Sequence, residues 1–290
     1  MTMFTSQKLF LLFLITAISF SFAFGQEKKD KQTQAATLKR TTTKTENRKF
    51  SFGSSLTLLG APFGSITIEG WNKSEVDITA DIELTASTEE DLAMMAKVNG
   101  FHIIEDFNSM RILTVGMHDK AYMKKYAKNF PKRLLGQLWK VDYKIKVPAN
   151  CDMEISAGKG AITLKGVEGA ISLNAAESNV DLTLTGGYIR STIGSGKVNI
   201  NMASRGWRGV GTSIQLGAGE MILNLPTNFN AYINADVLRN GSLENNYPNL
   251  KPEKLTTATA KSIQGVAGTG GAPLKFVVGD GTLKINEQKQ

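Results

Sequence analysis

From Phe50 to the end of the chain, apolar residues alternate with polar ones in short runs bounded by glycine, which is the two-residue period of half-buried β-strands. A recurring unit stands out: a Gly or Asn, one further residue, then two apolar residues separated by a polar one. It reads Gly64-Ser-Ile-Thr-Ile68, Gly160-Ala-Ile-Thr-Leu164, Gly169-Ala-Ile-Ser-Leu173, Gly196-Lys-Val-Asn-Ile200, Gly219-Glu-Met-Ile-Leu223 and Gly281-Thr-Leu-Lys-Ile285, with Asn179-Val-Asp-Leu-Thr-Leu184 as a variant. The central units begin at Gly160, Gly169, Asn179, Gly187 and Gly196, so two steps span about 18 residues. Short strands joined by glycine corners at an even interval predict an all-β chain wound as a parallel β-helix or β-solenoid, each coil sharing its core with the next. Thr163, Ser172, Thr183, Asn199 and Asn201 then face outward, an array suited to shallow, multivalent hydrogen bonding. A sandwich or meander of hairpins is the rival geometry, since the same alternation permits it.

Two segments break the alternation. Near 88–98, Ser87 or Thr88 can cap a helix whose apolar stripe is Leu92, Met95, Ala96 and Val98, ending at Asn99-Gly100. Between 119 and 139, Lys120, Lys124, Lys125, Lys128, Lys132 and Arg133 interleave with Tyr122, Tyr126, Phe130, Leu134, Leu135 and Trp139, and Pro131 divides the segment into two short helices. Tyr122 and Tyr126 at a four-residue spacing, beside Lys124, Lys125 and Lys128, make an amphipathic stripe that suits an anionic polymer or surface. The competing reading is a helical flap whose aromatic residues cap the β-stack while its lysines point to water. Trp207, between Arg205 and Arg208 in a glycine-bounded loop, is the remaining candidate, either stacking on a sugar ring or capping an end.

The first fifty residues change the picture of charge. Lys8 precedes the apolar run Leu9–Ile15, continued by Ala17, Ile18 and Phe20, with small residues at Ala23 and Gly25, which predicts a signal peptide over 1–25 and an exported chain found in the periplasm, at the cell surface or outside the cell. Residues 26–49 hold eight basic and three acidic side chains with Leu38 as their one sizeable apolar group, and read as a basic disordered linker. That segment and Lys8 account for six of the formal +8, so the basicity belongs mostly to the N-terminal part and specific nucleic-acid binding is not expected. The folded domain is placed at 50–290.

Candidate chemistry is sparse. The single Cys151 excludes an internal disulfide framework, and two histidines without a His-x-His or Cys-x-x-Cys pair predict no metal and no cofactor. His102 reads as a strand face, His118 as exposed, and Cys151 as a buried thiol without an identifiable base. Glycan cleavage needs two carboxylates across one cleft, whereas Glu154, Glu168, Glu177, Asp181 and Glu220 occur singly; no catalytic residue is assigned and a non-enzymatic protein is expected. Gly265-Val-Ala-Gly-Thr-Gly-Gly271 lacks the Lys-Ser/Thr of a phosphate loop and reads as a turn.

The segments Gly64-Ser-Ile-Thr-Ile-Glu-Gly-Trp71, Val76-Asp-Ile-Thr-Ala80, Val141-Asp-Tyr-Lys-Ile-Lys-Val-Pro148 and Gly279-Asp-Gly-Thr-Leu-Lys-Ile285 resemble, in this order, the bacterial putative adhesin family, a domain of unknown function. The resemblance covers most of 50–290 and implies a secreted or envelope-facing β-solenoid with no established catalytic residues. With it, the expected partner is an envelope polysaccharide or another envelope protein, with an anionic surface as the target of the basic insert. The alternatives are a polysaccharide-active β-helix enzyme and a component of envelope stress or assembly.

Overall fold

The computed structural model describes residues 37–253 and 258–288; the expected signal peptide and residues 26–36 of the expected linker lie outside them. Strands β1 (Leu38–Lys49), β2 (Ser55–Leu59), β3 (Ile66–Trp71) and β4 (Glu75–Ala86) precede helix α1 (Glu89–Ala96). Strands β5 (Gly100–Asp106) and β6 (Ser109–Val115) lead to helix α2 (Lys120–Tyr126) and a single 3-10 turn at Lys132–Leu134. There follow β7 (Trp139–Pro148), β8 (Asp152–Lys159), β9 (Ile162–Lys165), β10 (Ala170–Glu177), β11 (Val180–Leu184), and the long β12 (Gly186–Met202) and β13 (Arg208–Leu225). Last come β14 (Ala231–Val237), β15 (Gly241–Asn246), β16 (Leu250–Pro252), β17 (Ser262–Ala267) and β18 (Pro273–Glu287).

The repeats become a parallel ladder with an 18-residue step. Met153, Ile171 and Ile189 stand in register on β8, β10 and the first half of β12, and Ile162, Val180 and Val198 on β9, β11 and its second half. Beyond β12 the loop through Trp207 lengthens the step, so that Ile189 pairs with Thr212 and Val198 with Met221 of β13. β13 in turn pairs with β18, Met221 opposite Leu283. Along the ladder most Ile, Val, Leu and Met positions are buried and alternate with polar positions that reach solvent, so adjacent strands pool one apolar interior that none could build alone; Val210 of β13, 71 % exposed, is an exception.

The long strands turn from one ladder to the other at stacked glycines. Gly196, Gly219 and Gly281 have φ of 135°, 136° and 134°, and a Cβ on any of them would strike the carbonyl oxygen of the residue stacked beneath it. Around this parallel centre the network is mixed: β4 is antiparallel to β1 and β7, β5 to β6, and β17 to β14 and β16. The fold is therefore mostly β, as expected, but it is a curled mixed sheet, and the expected parallel β-helix does not extend over the whole domain.

One boundary moves. Residues 38–49, expected to be disordered linker, form β1, whose twelve residues pair one for one with β4 from Leu38–Ala86 to Lys49–Glu75. A poor apolar content does not prevent this, because β4 already buries Val76, Ile78, Ala80, Ile82 and Leu84 and offers an open polar edge. The outer face of β4 is acidic. Thr43 donates to Asp81 (2.6 Å), Lys39 pairs with Glu83 (3.3 Å), and Arg40 pairs with Glu89 of α1 (2.6 Å). Threonine-rich β1 thus gains backbone bonds and opposite charge in place of burial.

Candidate functional site

The two inserts meet. Thr88 caps α1 by accepting from Asp91 N, and Asp119 caps α2 by accepting from Ala121 N and Tyr122 N. Asp91 and Arg133 then clamp α1 to the 3-10 turn through paired bonds, Nη1 to Oδ2 and Nη2 to Oδ1, both 2.7 Å. Leu92, Met95, Met123, Leu134 and Trp139 are buried beneath, with Tyr122 and Phe130 half-buried against the same core. Tyr122 packs downward, whereas Tyr126 keeps 64 % of its surface exposed with its ring 5.1 Å from that of Tyr122.

Between the inserts lies a cleft of about 510 Å³, floored by Met94, Val98 and Phe130 and edged by Lys97, Lys125 and Lys128. Lys125 Nζ sits 4.9 Å over the Tyr126 ring, and its contact with that side chain holds its pKa above the usual lysine range. No carboxylate lies within ion-pair distance of Lys97, Lys120, Lys124, Lys125, Lys128 or Lys132 among the described residues. Some lysines on the strands are neutralised, Lys140 by Asp142 (2.9 Å), Lys197 by Glu220 (3.0 Å) and Lys284 by Glu220 (3.2 Å), whereas Lys44, Lys49, Lys73, Lys146 and Lys275 likewise have no carboxylate within ion-pair distance among the described residues. What distinguishes the inserts is that Lys97, Lys125 and Lys128 edge one cleft with an apolar floor. Lys97 and Met94 were not singled out by sequence, and Val98 was read only as part of the helix's apolar stripe, because their place in the cleft depends on α1 docking beside α2.

Trp207 does not join this surface. It is 9 % exposed and donates its Nε1–H to the Gly187 carbonyl (3.0 Å), so its ring belongs to the core and not to a sugar platform. The outward polar rows are partly satisfied internally: the Asn199 amide donates to Asp181 (3.2 Å), and Asn224 donates to Asn199 and Asn201 (both 2.9 Å). These side chains hold neighbouring strands to one another. Thr183 remains exposed, and Thr163 and Ser172 half-exposed.

Glu168 is not isolated, which corrects the sequence reading. Its Oε1 accepts from Thr185 Oγ1 (2.6 Å) and is ion-paired with Arg208. Asn150 bridges to Glu168 and Gly186 pairs with Arg208, so the 18-residue step lines these residues up at one corner. Asp152 lies in the same cleft, its Oδ1 accepting from Ala170 N (2.7 Å). Cys151 is 3 % exposed, and burial, aided by the Asp152 charge, pushes its pKa up to about 12, leaving a thiol with no nucleophilic character at neutral pH. His102 is an exposed residue of β5 with its ring 6.0 Å from Tyr122; His118 stacks 5.3 Å from Trp139, and burial of the ring lowers its pKa. Gly268, Gly270 and Gly271 form the turn between β17 and β18, with Thr269 N donating to Asn230 Oδ1 (2.9 Å). No cluster of three His, Cys, Asp or Glu side chains converges among the described residues, and no helix among them is long and apolar enough to cross a membrane.

No protein-family model and no curated protein matches the chain. Among solved structures, it is similar to a "putative cell adhesion protein" from Clostridium sporogenes, at 13 % identity over 85 % of this chain and 100 % of that one, with a TM-score of 0.44. It is also similar to a "putative adhesin" from Bacteroides fragilis, at 13 % identity over 85 % of this chain and 97 % of that one, with a TM-score of 0.31.

Proposed function

We propose that the chain is an exported, non-enzymatic, adhesin-like protein whose domain is a short β-solenoid and whose contact surface for anionic envelope polymer is the face made by α1 and α2. The observation that supports this most is the set of lysines without carboxylate partners, Lys97, Lys125 and Lys128 around a cleft with an apolar floor and an exposed Tyr126, with Lys124 exposed on the same helix. Charge left unpaired costs little in water and becomes useful when a polyanion releases its counterions there. The outward asparagine rows were expected to serve as the contact array, but much of their hydrogen-bonding capacity is spent between strands.

Cosedimentation of the protein with isolated cell envelopes over a salt series tests the reading. Deleting 119–139 is a poor control, since Met123, Leu134 and Trp139 are core residues. The triple variant Lys124→Gln, Lys125→Gln, Lys128→Gln alters solvent-facing groups and keeps the fold. Salt-sensitive pelleting that the triple variant loses supports envelope binding through the insert; equal pelleting of both proteins contradicts it. The competing reading, a polysaccharide-active enzyme, has one observation in its favour, the presence of Asp152 and Glu168 in one cleft. New reducing ends from an envelope polysaccharide, abolished by Glu168→Gln, would replace the non-enzymatic reading with that one.

A further inference from the structure

A second cleft lies away from the lysine face, at the corner where Asn150, Glu168 and Arg208 align. Its volume is about 360 Å³, within the range of small-ligand sites. Above it stands Phe52, 98 % exposed. Its backbone is in a tight turn: Ser54 N donates to Ser51 O (3.1 Å), and Gly53 at the third position has φ +80°, which a side chain at that position would strain. A large apolar side chain fixed in water by a rigid turn gains nothing for folding, since it buries nothing. The same ring and Asn150 also border an adjoining cleft of about 200 Å³ lined by Trp71, so the two hollows form one groove passing beneath Phe52.

The polar groups of the groove are half used. Glu168 spends Oε1 on Thr185 and Arg208 and keeps Oε2; Asp152 spends Oδ1 on Ala170 N and keeps Oδ2; Arg208 spends Nη2 and keeps Nη1 and Nε. Among the described residues none of these remaining atoms has a protein partner. Paired acceptors and donors beside an aromatic face suit vicinal hydroxyls, each of which gives and takes a hydrogen bond, with the ring covering the apolar C–H face of a pyranose. Asp152 and Glu168 are balanced by Arg208 and by Lys73, whose Nζ lies 4.7 Å over the Trp71 ring, so the groove carries no excess positive charge to select an anionic ligand, in contrast to the lysine face.

We propose that this groove binds a short neutral glycan, with Phe52 as its stacking platform and Glu168, Asp152 and Arg208 as its hydroxyl contacts. The site is independent of the anionic-polymer surface. It is tested by titrating the protein with glucose, mannose and N-acetylglucosamine tetrasaccharides, using calorimetry and amide shifts. Saturable binding of at least one, weakened about tenfold or more by Phe52→Ala as expected for loss of an aromatic anchor, supports the proposal. The control is Phe107→Ala, which removes another ring that is 97 % exposed, and which leaves binding unchanged. The Lys124, Lys125 and Lys128 glutamine variant also leaves it unchanged, so failure of the envelope reading and failure of this one are separable. No binding of any tetrasaccharide at about 10 mM, where even a weak site of a few kcal/mol would register, overturns the proposal. So does binding that survives both Phe52→Ala and Arg208→Ala, or a preference for galacturonate tetrasaccharide over all three neutral ones.

Discussion

Gly219 shows how much of the fold rests on single atoms that are missing. It lies at φ +136° in the bend of β13, where a methyl group would occupy the space of the Gly196 carbonyl. Gly219→Ala is expected to lower stability by about 2–4 kcal/mol, combining backbone strain with displacement of the strand beneath, and a denaturant midpoint measures it against Thr183→Ala on the exposed face. Cys151 makes the opposite kind of residue-scale prediction. Buried, with its pKa pushed up to about 12, it should react with a thiol reagent in the native protein at least about a hundredfold more slowly than in denaturant. Fast native labelling would mean that the corner at Asn150 opens readily. Sequence reasoning anticipated a buried thiol here, because a small apolar-tolerant residue enters a strand after Val147-Pro-Ala-Asn. It missed Phe52, since an aromatic residue between Ser and Gly carries no mark of whether it packs or projects.

At the scale of elements, charge explains what apolar pattern did not. β1 has no apolar stripe, and its docking was illegible from its own composition. The signal was in β4, whose outward Glu75, Asp77, Asp81 and Glu83 call for basic neighbours on both edges, with β1 on one side and Lys140, Lys144 and Lys146 of β7 on the other. Each exposed pair contributes under about 1 kcal/mol, so backbone pairing must dominate. Converting Lys39, Arg40 and Arg48 to glutamate should therefore raise amide exchange in β1 selectively, leaving β8 to β13 protected. The α1 clamp gives a pH prediction. The Arg133 guanidinium holds the Asp91 carboxyl below the ordinary carboxylate range. A lowered folded pKa contributes stability that is present above the unfolded value of about 4 and is lost as pH falls through the folded one. The melting-temperature gap between the native protein and Asp91→Asn should accordingly be present at neutral pH and close in acid.

For the whole molecule, the period of the sequence carries further than its separate motifs. Steps of nine residues, doubled, are the register of β8 with β10 and β12, and the alternating Ile, Val and Leu positions are the buried ones. The same period would have aligned Asn150 with Glu168 and Gly186, so the groove was legible in principle once the coil was drawn. The antiparallel strands at β1, β4, β5, β16 and β17 were not, since alternation is blind to strand direction. Nor was the meeting of the two inserts, where Asp91 of α1 pairs with Arg133 of the 3-10 turn, 42 residues away in the chain.

The central claim is that unpaired lysines on the insert face hold an anionic polymer. It is tested most directly by the dissociation constant for polygalacturonate as a function of salt, for the native protein and for Lys124→Gln, Lys125→Gln, Lys128→Gln. The account predicts affinity that falls steeply as salt rises, and a triple variant that binds more weakly with a shallower salt dependence. Equal affinity in the two proteins, or binding indifferent to salt, would contradict it.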